Sequence, residues 1–277
     1  MVGFGIKVDV AVIADQPLGA SVKYVDGPAA GGSASITSKA LTFVGRYKFD
    51  NNFSVHGGLR VQTIEATAAV PFVGGYTVDG ERDTGVGYVA GVAYERPDIA
   101  MRVSLTYNSK IKHDLDTSEN SVAIGSTSTS TEIETPQSLN LEFQTGIAAD
   151  TLLFGGVRWV DWSEFDITPA RYAGGSLVDY SEDVVTYTLG VGRRFSDVFS
   201  GQFSVSYEEA QGGLAPNLGP TDGYISYSIG GEYKVNDQTK LRGGIRYIDI
   251  GDATTTASIP FADNSAIAVG ASVVYTF

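Results

Sequence analysis

Apolar and polar residues alternate along most of the chain. In residues 98–112 the odd positions from Ile99 to Tyr107 are apolar, and the even positions from Arg102 to Asn108 are polar. Successive side chains of a β-strand point to opposite faces, so this period of two predicts strands, and almost no segment has helical periodicity. The alternation predicts thirteen strands, at residues 4–13, 18–25, 36–49, 53–67, 84–95, 98–112, 138–148, 151–163, 183–195, 198–209, 223–234, 239–250 and 265–277.

The lengths of these strands and of their links distinguish two all-β architectures. Most predicted strands reach the ~9–11 residues that a tilted strand needs to cross a bilayer, whereas strands of a soluble β-sandwich have about 5–6. Short links rich in turn-forming residues alternate strictly with long links, as in outer-membrane barrels. The short links are Asp15-Gln16-Pro17, Asp50-Asn51-Asn52, Arg96-Pro97, Ala149-Asp150, Ser196-Asp197 and Asn236-Asp237, and the long ones are about 26–35, 68–83, 113–137, 164–182, 210–222 and 251–264. We therefore predict an all-β fold, a transmembrane antiparallel β-barrel that occupies residues 1–277 as a single domain.

The number of strands leads to a further expectation. The first predicted strand leads into a short link and the last one follows a long link, so both run in the same direction. They would be parallel neighbours in a closed antiparallel barrel, and bacterial barrels have even strand numbers. We therefore expect thirteen visible strands of fourteen, with one absent at the amino terminus. The alternative is an uncounted short strand within Asp252–Phe261.

Composition excludes several other classes of protein. The 277 residues contain no cysteine and two histidines, His56 and His113, which excludes a zinc–thiolate site, a thiol nucleophile and a histidine-rich metal site. A formal net charge of −13 argues against nucleic acid as a partner. No apolar run approaches the ~18 residues of a membrane helix. Neither a cofactor nor a metal is expected.

Both ends of the sequence bear on targeting. Met1-Val2-Gly3-Phe4 leads directly into alternating sequence, without the basic start and the small-residue cleavage site of a secretory signal. A mature or truncated chain would begin in this way. The last residue is Phe277, and an aromatic residue that ends an alternating strand resembles the signal read by the barrel-assembly machinery. We expect that machinery as a partner, together with the lipid bilayer.

Three segments resemble the FadL family of outer-membrane transporters. They are the hairpin Gly85–Tyr94 with Arg102–Lys110, the strand start Thr135–Leu139, and Trp159–Phe165, whose Trp-x-x-Trp-Ser-x-Phe pattern is the most specific. The resemblance implies a fourteen-stranded, monomeric barrel in the outer membrane of a Gram-negative bacterium. Such a barrel carries long-chain fatty acids or other hydrophobic compounds and is not an enzyme. The family also has an amino-terminal hatch with an Asn-Pro-Ala motif, so we expect the hatch, the signal and the first strand to be absent here.

The polar faces of the predicted strands would line the lumen, where basic residues outnumber acidic ones. Arginine offers a two-pronged donor to a carboxylate, so a fatty-acid head group is a suitable ligand. The alternative is that these arginines pair with Asp9, Glu142 and Glu208 and only stabilise a polar interior. The candidate ligand-binding arginines are Arg60, Arg102, Arg158, Arg194 and Arg246.

The resemblance also implies ligand capture at outer loops and sideways release through a gap beside a kinked early strand. In one long link, Val70, Phe72 and Val73 form a candidate apolar capture site, although packing of the loop on itself would explain them equally well. Gly19 and Gly27-Pro28 are candidate positions for the kink, because glycine and proline weaken strand pairing.

Two other functions remain open from the sequence alone. A general porin or a structural barrel would share the strand pattern, and a porin would show steady ion conductance. An outer-membrane lipase or protease would need a nucleophile beside a base. Ser109, His113 and Asp114 form the one cluster of this kind in the sequence, and they lie in no recognisable motif.

Overall fold

The computed structural model describes residues 2–3 and 7–276, which fold almost entirely into β-structure. The predicted strand start at residues 4–6 and the terminal Phe277 lie outside these ranges. Among the described residues, no helix has the length and apolar character that a membrane crossing requires, and the helical turns are 3-10 segments at Pro97–Ile99 and Trp162–Glu164. The strands are β1 (Val2–Gly3), β2 (Val8–Asp15), β3 (Gly19–Lys23), β4 (Ser33–Lys48), β5 (Phe53–Val70), β6 (Tyr76–Arg96), β7 (Met101–Asn108), β8 (Ile111–Ser121), β9 (Gly125–Thr135), β10 (Ser138–Ala148), β11 (Thr151–Val160), β12 (Asp166–Ile167), β13 (Val178–Asp179), β14 (Val184–Arg194), β15 (Phe199–Glu208), β16 (Leu214–Ala215), β17 (Tyr224–Lys234), β18 (Thr239–Ile250), β19 (Ala253–Thr255), β20 (Pro260–Phe261) and β21 (Asn264–Tyr275).

One continuous antiparallel sheet forms the wall of the molecule. Its order is β1-β2-β4-β5-β6-β7-β10-β11-β14-β15-β17-β18-β21, so thirteen strands of the described residues lie on this path, the number that the alternation predicts. Consecutive wall strands from β6 onward are joined by tight turns at one edge and by longer links at the other, whereas the β5–β6 link at the outer edge is a short turn at residues 71–75. This confirms the predicted alternation of short and long links for that part of the chain.

The described part of the predicted strand at residues 4–13 and the predicted strand at residues 18–25 form one strand, β2 followed by β3. β2 and β3 both pair antiparallel with β4, β2 with its second half and β3 with its first half. The prediction of a turn between them is wrong, and the direction expected for the first predicted strand is reversed over its described residues 8–13. The count of thirteen is nevertheless met, because the path begins with β1, which pairs with β2.

A β-bulge interrupts this strand at residues 16–18. Asp15 pairs with Ala40 and Gly19 pairs with Thr37, so three residues stand opposite two. The proline at the centre of the bulge has no N–H to donate to a neighbouring strand. It is therefore as well suited to a bulge as to a turn, and the local sequence does not distinguish the two.

The outer face of the wall carries a continuous apolar band. On β5 the band runs from Phe53 to Val61 and on β6 from Tyr94 to Val86, at every second residue. Its side chains are exposed, and that of Ile267 on β21 is 72% exposed. Large apolar side chains at this regular spacing face lipid, and a tilted strand of this length matches the ~25 Å apolar band of outer-membrane barrels.

Above this band the wall continues beyond the predicted strand ends. The sequence predicts loops at residues 68–83 and 113–137, but β5 and β6 extend to a short turn at 71–75, and β8 and β9 form a hairpin. In the hairpin every second side chain from Ile111 to Glu119 is buried. The loop predictions are wrong because the other face of these strands meets water, and its serine, threonine and acidic residues resemble a loop in composition.

The remaining outer links fold over the same end of the wall. β12 pairs with β13, while β16, β19 and β20 form a separate three-stranded sheet. The short strands expected as an alternative within Asp252–Phe261 therefore exist, but they do not belong to the wall. The phenol of Tyr24, which follows β3, donates to the carbonyl of Asn217 (2.6 Å), and its ring lies 5.4 Å from that of Phe261.

Candidate transport path

A segment of the link between β11 and β14 fills the mouth of the wall above the apolar band. Residues 162–180, here termed the plug segment, contribute Phe165 to a cluster with three buried wall residues, Ile64, Leu115 and Ile133. These side chains pack together on the inner face, so hydrophobic contact holds the plug segment against β5, β8 and β9 at this level of the mouth. The partly buried residues that pack around the cluster are Leu18, Ile36, Ala66, Trp162, Ile167, Val178 and Tyr180.

A second apolar cluster lies farther out in the mouth. Tyr172 of the plug segment packs against Tyr76 of β6 with ring centroids 4.7 Å apart. Both clusters combine wall and plug residues, so an apolar path extends from the outer loops down to the level of the bulge. The buried members of this second cluster are Val70, Tyr76, Val78, Tyr172, Leu177 and Leu218.

One buried carboxylate joins the plug segment to the wall. Glu119 of β8 is 0% exposed, and it accepts hydrogen bonds from the Tyr76 phenol (2.6 Å), the Thr129 hydroxyl and the backbone N–H of Arg171 (3.0 Å). Burial, followed by the contact with Glu119, raises the pKa of the Tyr76 phenol, which therefore remains a donor at neutral pH. No motif marks Glu119 in the sequence. The alternation of β8 is the one signal that could have indicated its inward orientation.

Asp183 holds the base of the plug segment. Its carboxylate accepts hydrogen bonds from the Trp159 indole N–H (2.9 Å) and the Ser163 hydroxyl (2.7 Å). Burial opposes ionisation here, but these donors outweigh it and hold the pKa of Asp183 below its usual value. The Trp-x-x-Trp-Ser-x-Phe pattern therefore has a structural role, because its first tryptophan and its serine fix the point where the plug segment leaves the wall.

Below the plug segment the inner faces of the wall line an open cavity of about 1800 Å³. Glycine, serine and charged residues dominate its lining. Glu232 forms ion pairs with Lys240 (2.8 Å) and Arg242 (2.7 Å) at its lower end. Apolar residues such as Leu152 and Phe154 also line the cavity, and its charged groups can remain hydrated there.

The bulge in the β2–β3 strand lies at the lower edge of the apolar mouth. Leu18, its last residue, packs against the cluster that contains Phe165. The Leu18 N–H donates to the hydroxyl of Ser38 (2.9 Å), which replaces a regular contact between the strands. Of the positions predicted for a kink, Gly19 directly follows the bulge, whereas Gly27 lies in the outer loop, with a φ of +72°.

Residues 10–277 match the model of a family described as outer membrane protein transport protein (OMPP1/FadL/TodX). The chain belongs to this family. It is a transmembrane antiparallel β-barrel of the Gram-negative outer membrane and a transporter of hydrophobic compounds, not an enzyme. These findings confirm the fold class, the family and the localisation that the sequence predicts. No curated protein matches the chain.

Solved barrels of the same family share its fold. A FadL homologue from Pseudomonas aeruginosa superposes with a TM-score of 0.74 at 14% identity, over 96% of this chain and 72% of that one. The monoaromatic hydrocarbon channel CymD gives 0.66 at 15% identity, over 99% and 80%. The Pseudomonas putida toluene transporter TodX gives 0.63 at 12% identity, over 96% and 77%. At these identities the likeness establishes the fold.

The arginines predicted to line the lumen of this FadL-type barrel do not form one site. Arg102 lies near Glu95, with 3.5 Å between Nε and Oε1, and Arg194 pairs with Asp150 beside the lower turn. These two arginines therefore follow the alternative of ion pairing, although with acids other than those expected. Their charge is already compensated within the wall.

The other three predicted arginines have no ion-pair partner among the described residues. Arg60 donates from Nε to the hydroxyl of Thr42 (3.0 Å), and Arg246 donates from Nε to that of Ser226 (3.0 Å). Arg158 is exposed on the inner face of β11. Of the three, Arg60 is nearest to the mouth cluster along its strand, since it lies four residues below Ile64 on the same face of β5.

The predicted capture site is divided between the interior and the surface. Val70 is fully buried in the second cluster and Val73 packs against it. Phe72 is 40% exposed at the turn between β5 and β6. Val122, at the tip of the β8–β9 hairpin, reaches the same turn, where its N–H donates to the carbonyl of Gly74 (3.0 Å).

Ser109, His113 and Asp114 do not assemble as a catalytic cluster. The buried His113 has its Nδ1 3.3 Å from a carboxylate oxygen of Asp83, rather than from Asp114. The hydroxyl of Ser109 accepts a hydrogen bond from the backbone N–H of Tyr88 (2.9 Å). Over the described part of the chain, no group of three or more histidine and acidic side chains could hold a metal ion.

Proposed function

We propose that the barrel passively carries long-chain fatty acids or related hydrophobic compounds, and that these leave the mouth sideways at the bulge of residues 16–18. The observation that carries this proposal is the packing of Leu18 against the cluster around Phe165. The apolar path through the mouth and the lipid-facing wall therefore meet at one point.

Capture begins at the outer end in this proposal. Phe72 and Val122 both expose apolar surface at the turn between β5 and β6, and Val73 of the same turn packs against the second cluster. A hydrophobic compound could thus exchange water for protein contacts stepwise, first at the surface and then in the mouth. CymD and TodX are described as a monoaromatic hydrocarbon channel and a toluene transporter, so aromatic hydrocarbons are test compounds beside fatty acids.

The head group of a fatty acid would be bound at the lower edge of the mouth. Arg60 lies on the inner face of β5 below Ile64 and has no ion-pair partner among the residues that the structure describes. A guanidinium in this position can bind a carboxylate through two parallel hydrogen bonds. Arg158 and Arg246 remain secondary candidates on the opposite wall. Recognition of Phe277 by the barrel-assembly machinery and a monomeric state also stay predictions.

Deletion of Pro17 tests the sideways route. Removal of one residue leaves two residues opposite two, which permits a continuous register between β2–β3 and β4. We expect the uptake of oleate and of toluene to fall by about tenfold or more, because the deletion removes the irregular pairing with β4 at which the compound would leave the mouth. Uptake is measured in cells that lack other transporters of this family.

Deletion of Ala123 is the matched control. This residue lies at the tip of the β8–β9 hairpin, so its loss removes one residue without changing the register of the wall. The control should keep normal uptake. Normal uptake by the Pro17 deletion, with the barrel assembled in the membrane, would contradict the sideways route.

The porin function is the second candidate, and the cavity of about 1800 Å³ favours it. A porin would give steady conductance in planar bilayers and would pass small sugars. A transporter whose mouth is filled by the plug segment should do neither. Steady conductance of the unmodified barrel would therefore decide for the porin.

A further inference from the structure

The plug segment contacts the wall mainly through apolar side chains, and a hydrophobic compound can replace such contacts. Within the described residues, its strands β12 and β13 pair with each other and not with a wall strand. The large contacts in the mouth are those of Phe165, Tyr172 and Leu177 with wall side chains. Apolar contacts are not directional, so the surface of a hydrophobic compound can replace them at little cost.

Glu119 provides a directional contact between the wall and the middle of the plug segment. Two of its three donors, Tyr76 and Thr129, belong to the wall, and the third is the backbone N–H of Arg171 in the plug segment. No ion pair to Glu119 exists among the described residues. A buried carboxylate without a cation depends on each of its donors, so withdrawal of the plug segment requires water or another donor to take the place of Arg171.

We propose that residues 162–180 are a movable outer gate and that Glu119 is the positioning residue that fixes the closed state. A hydrophobic compound opens the gate by replacing the contacts of Phe165, Tyr172 and Leu177, while the hydrogen bonds at Asp183 keep the base of the segment in place. Glu119 returns the segment to one defined position after passage. This gate rests on the proposed function, since its ligand is the transported compound.

The absence of cysteine from the chain permits a direct measurement of gate opening. Leu177 in the plug segment is 5% exposed, and Leu177→Cys introduces a single thiol there. Its reaction with a membrane-impermeant maleimide is followed on intact cells, with and without oleate or toluene. We expect slow labelling without either compound and labelling about tenfold faster with a transported one, since replacement of a plug contact exposes the thiol. Val122→Cys, at a position 92% exposed, should label rapidly in every condition.

Two variants test the role of Glu119 without any ligand. In the Leu177→Cys background, Glu119→Gln keeps the size of the side chain but weakens its acceptor. Arg171→Pro removes the one N–H that the plug segment donates, whereas Arg171→Ala retains that N–H and serves as its control. We expect Glu119→Gln and Arg171→Pro to raise basal labelling by about tenfold, the effect of one lost hydrogen bond to a charged group. Arg171→Ala should label at the original rate.

The outcomes separate the gate from the proposed function. Heat-modifiable migration of the folded barrel on gels must be unchanged in each variant, so that faster labelling reports the plug segment and not an unfolded wall. Uptake without faster labelling of Leu177→Cys would overturn the gate alone. Basal labelling unchanged by both Glu119→Gln and Arg171→Pro would overturn the role of Glu119. Failure to take up either compound would overturn the proposed function, and the ligand-free variants would still decide whether the plug segment is held by Glu119.

Discussion

The two faces of the barrel wall exchange polarity at the level of the bulge: below it the outer face is apolar, and above it the inner face is apolar. Within the lipid band the outer face is apolar, as from Phe53 to Val61, and the inner face carries groups such as His56 and Arg60. Above the band the inner face of the same strand becomes apolar, from Ile64 to Val70. The polarity of both faces therefore changes along one continuous strand, because its outer face contacts lipid below this level and water above it.

The change of polarity marks the boundary between two compartments, the upper mouth and the lower lumen. The upper mouth holds two buried apolar clusters, whereas the lower lumen holds an open cavity of about 1800 Å³ that many charged residues line. Irregularities of the sheet occur near the same level: the bulge at residues 16–18 and the register shift between Ile64 and Ala66, opposite Gly80 and Asp83. The proposed sideways exit lies at this level, with the apolar clusters above it and charged residues of the lower lumen below it.

Removal of the plug segment should have the largest effect, because it opens the upper mouth to water and so connects it with the lower lumen. Replacement of residues 164–181 by a short glycine–serine linker keeps the hydrogen bonds of Asp183 with Trp159 and Ser163. Water would then reach the lower cavity from the mouth, and we expect planar-bilayer conductance to rise by at least about tenfold, toward that of an open barrel. Deletion of Ala123 should leave the conductance at its original level. If the shortened barrel remains closed, other outer links, and not the plug segment, seal the mouth.

The sequence predicts the lipid-embedded half well and the upper half poorly. Exposed apolar residues at every second position marked the strands around residues 53–61 and 86–94, because lipid selects one face strongly. In the hairpin of β8 and β9 the buried face includes Thr117 and Glu119, so polarity does not distinguish it from the face that meets water. The alternation is still present there, but composition suggests a loop.

The site was predictable only where local sequence determines it. The Trp159–Phe165 pattern correctly indicated an important strand end, because its side chains bond to Asp183 nearby in the fold. The role of Glu119 depends on the N–H of Arg171, which is 52 residues away, and no local pattern encodes that contact. The partners of the predicted arginines depend on cross-strand register, which alternation does not specify.

Substitution of Arg60 tests whether a carboxylate binds at the boundary between the upper mouth and the lower lumen. Arg60 lies where the apolar inner face begins, whereas Arg194 pairs with Asp150 at the lower end of the lumen. If a carboxylate binds at the boundary, Arg60→Ala should lower oleate uptake by roughly 10-fold, the lower end of the effect of a hydrogen bond between charged groups. Toluene has no carboxylate, so its uptake should be unchanged, and Arg194→Ala should affect neither compound. Equal oleate uptake by both variants would remove Arg60 from the ligand path.

Substitution of Phe72, at the outermost point of the apolar path, should have the smallest effect on uptake. Its side chain is 40% exposed and contributes only part of the surface that a compound first meets. Phe72→Asp should reduce uptake at low concentrations of oleate or toluene by about two- to fivefold, because capture loses a fraction of the ~1.5–3 kcal/mol that a buried phenylalanine supplies. Phe72→Leu keeps the surface apolar and should retain most of the uptake, with the assembly of both variants checked by heat-modifiable migration. If the aspartate and leucine variants take up both compounds equally, capture does not involve this turn, and the path begins deeper, at the plug segment.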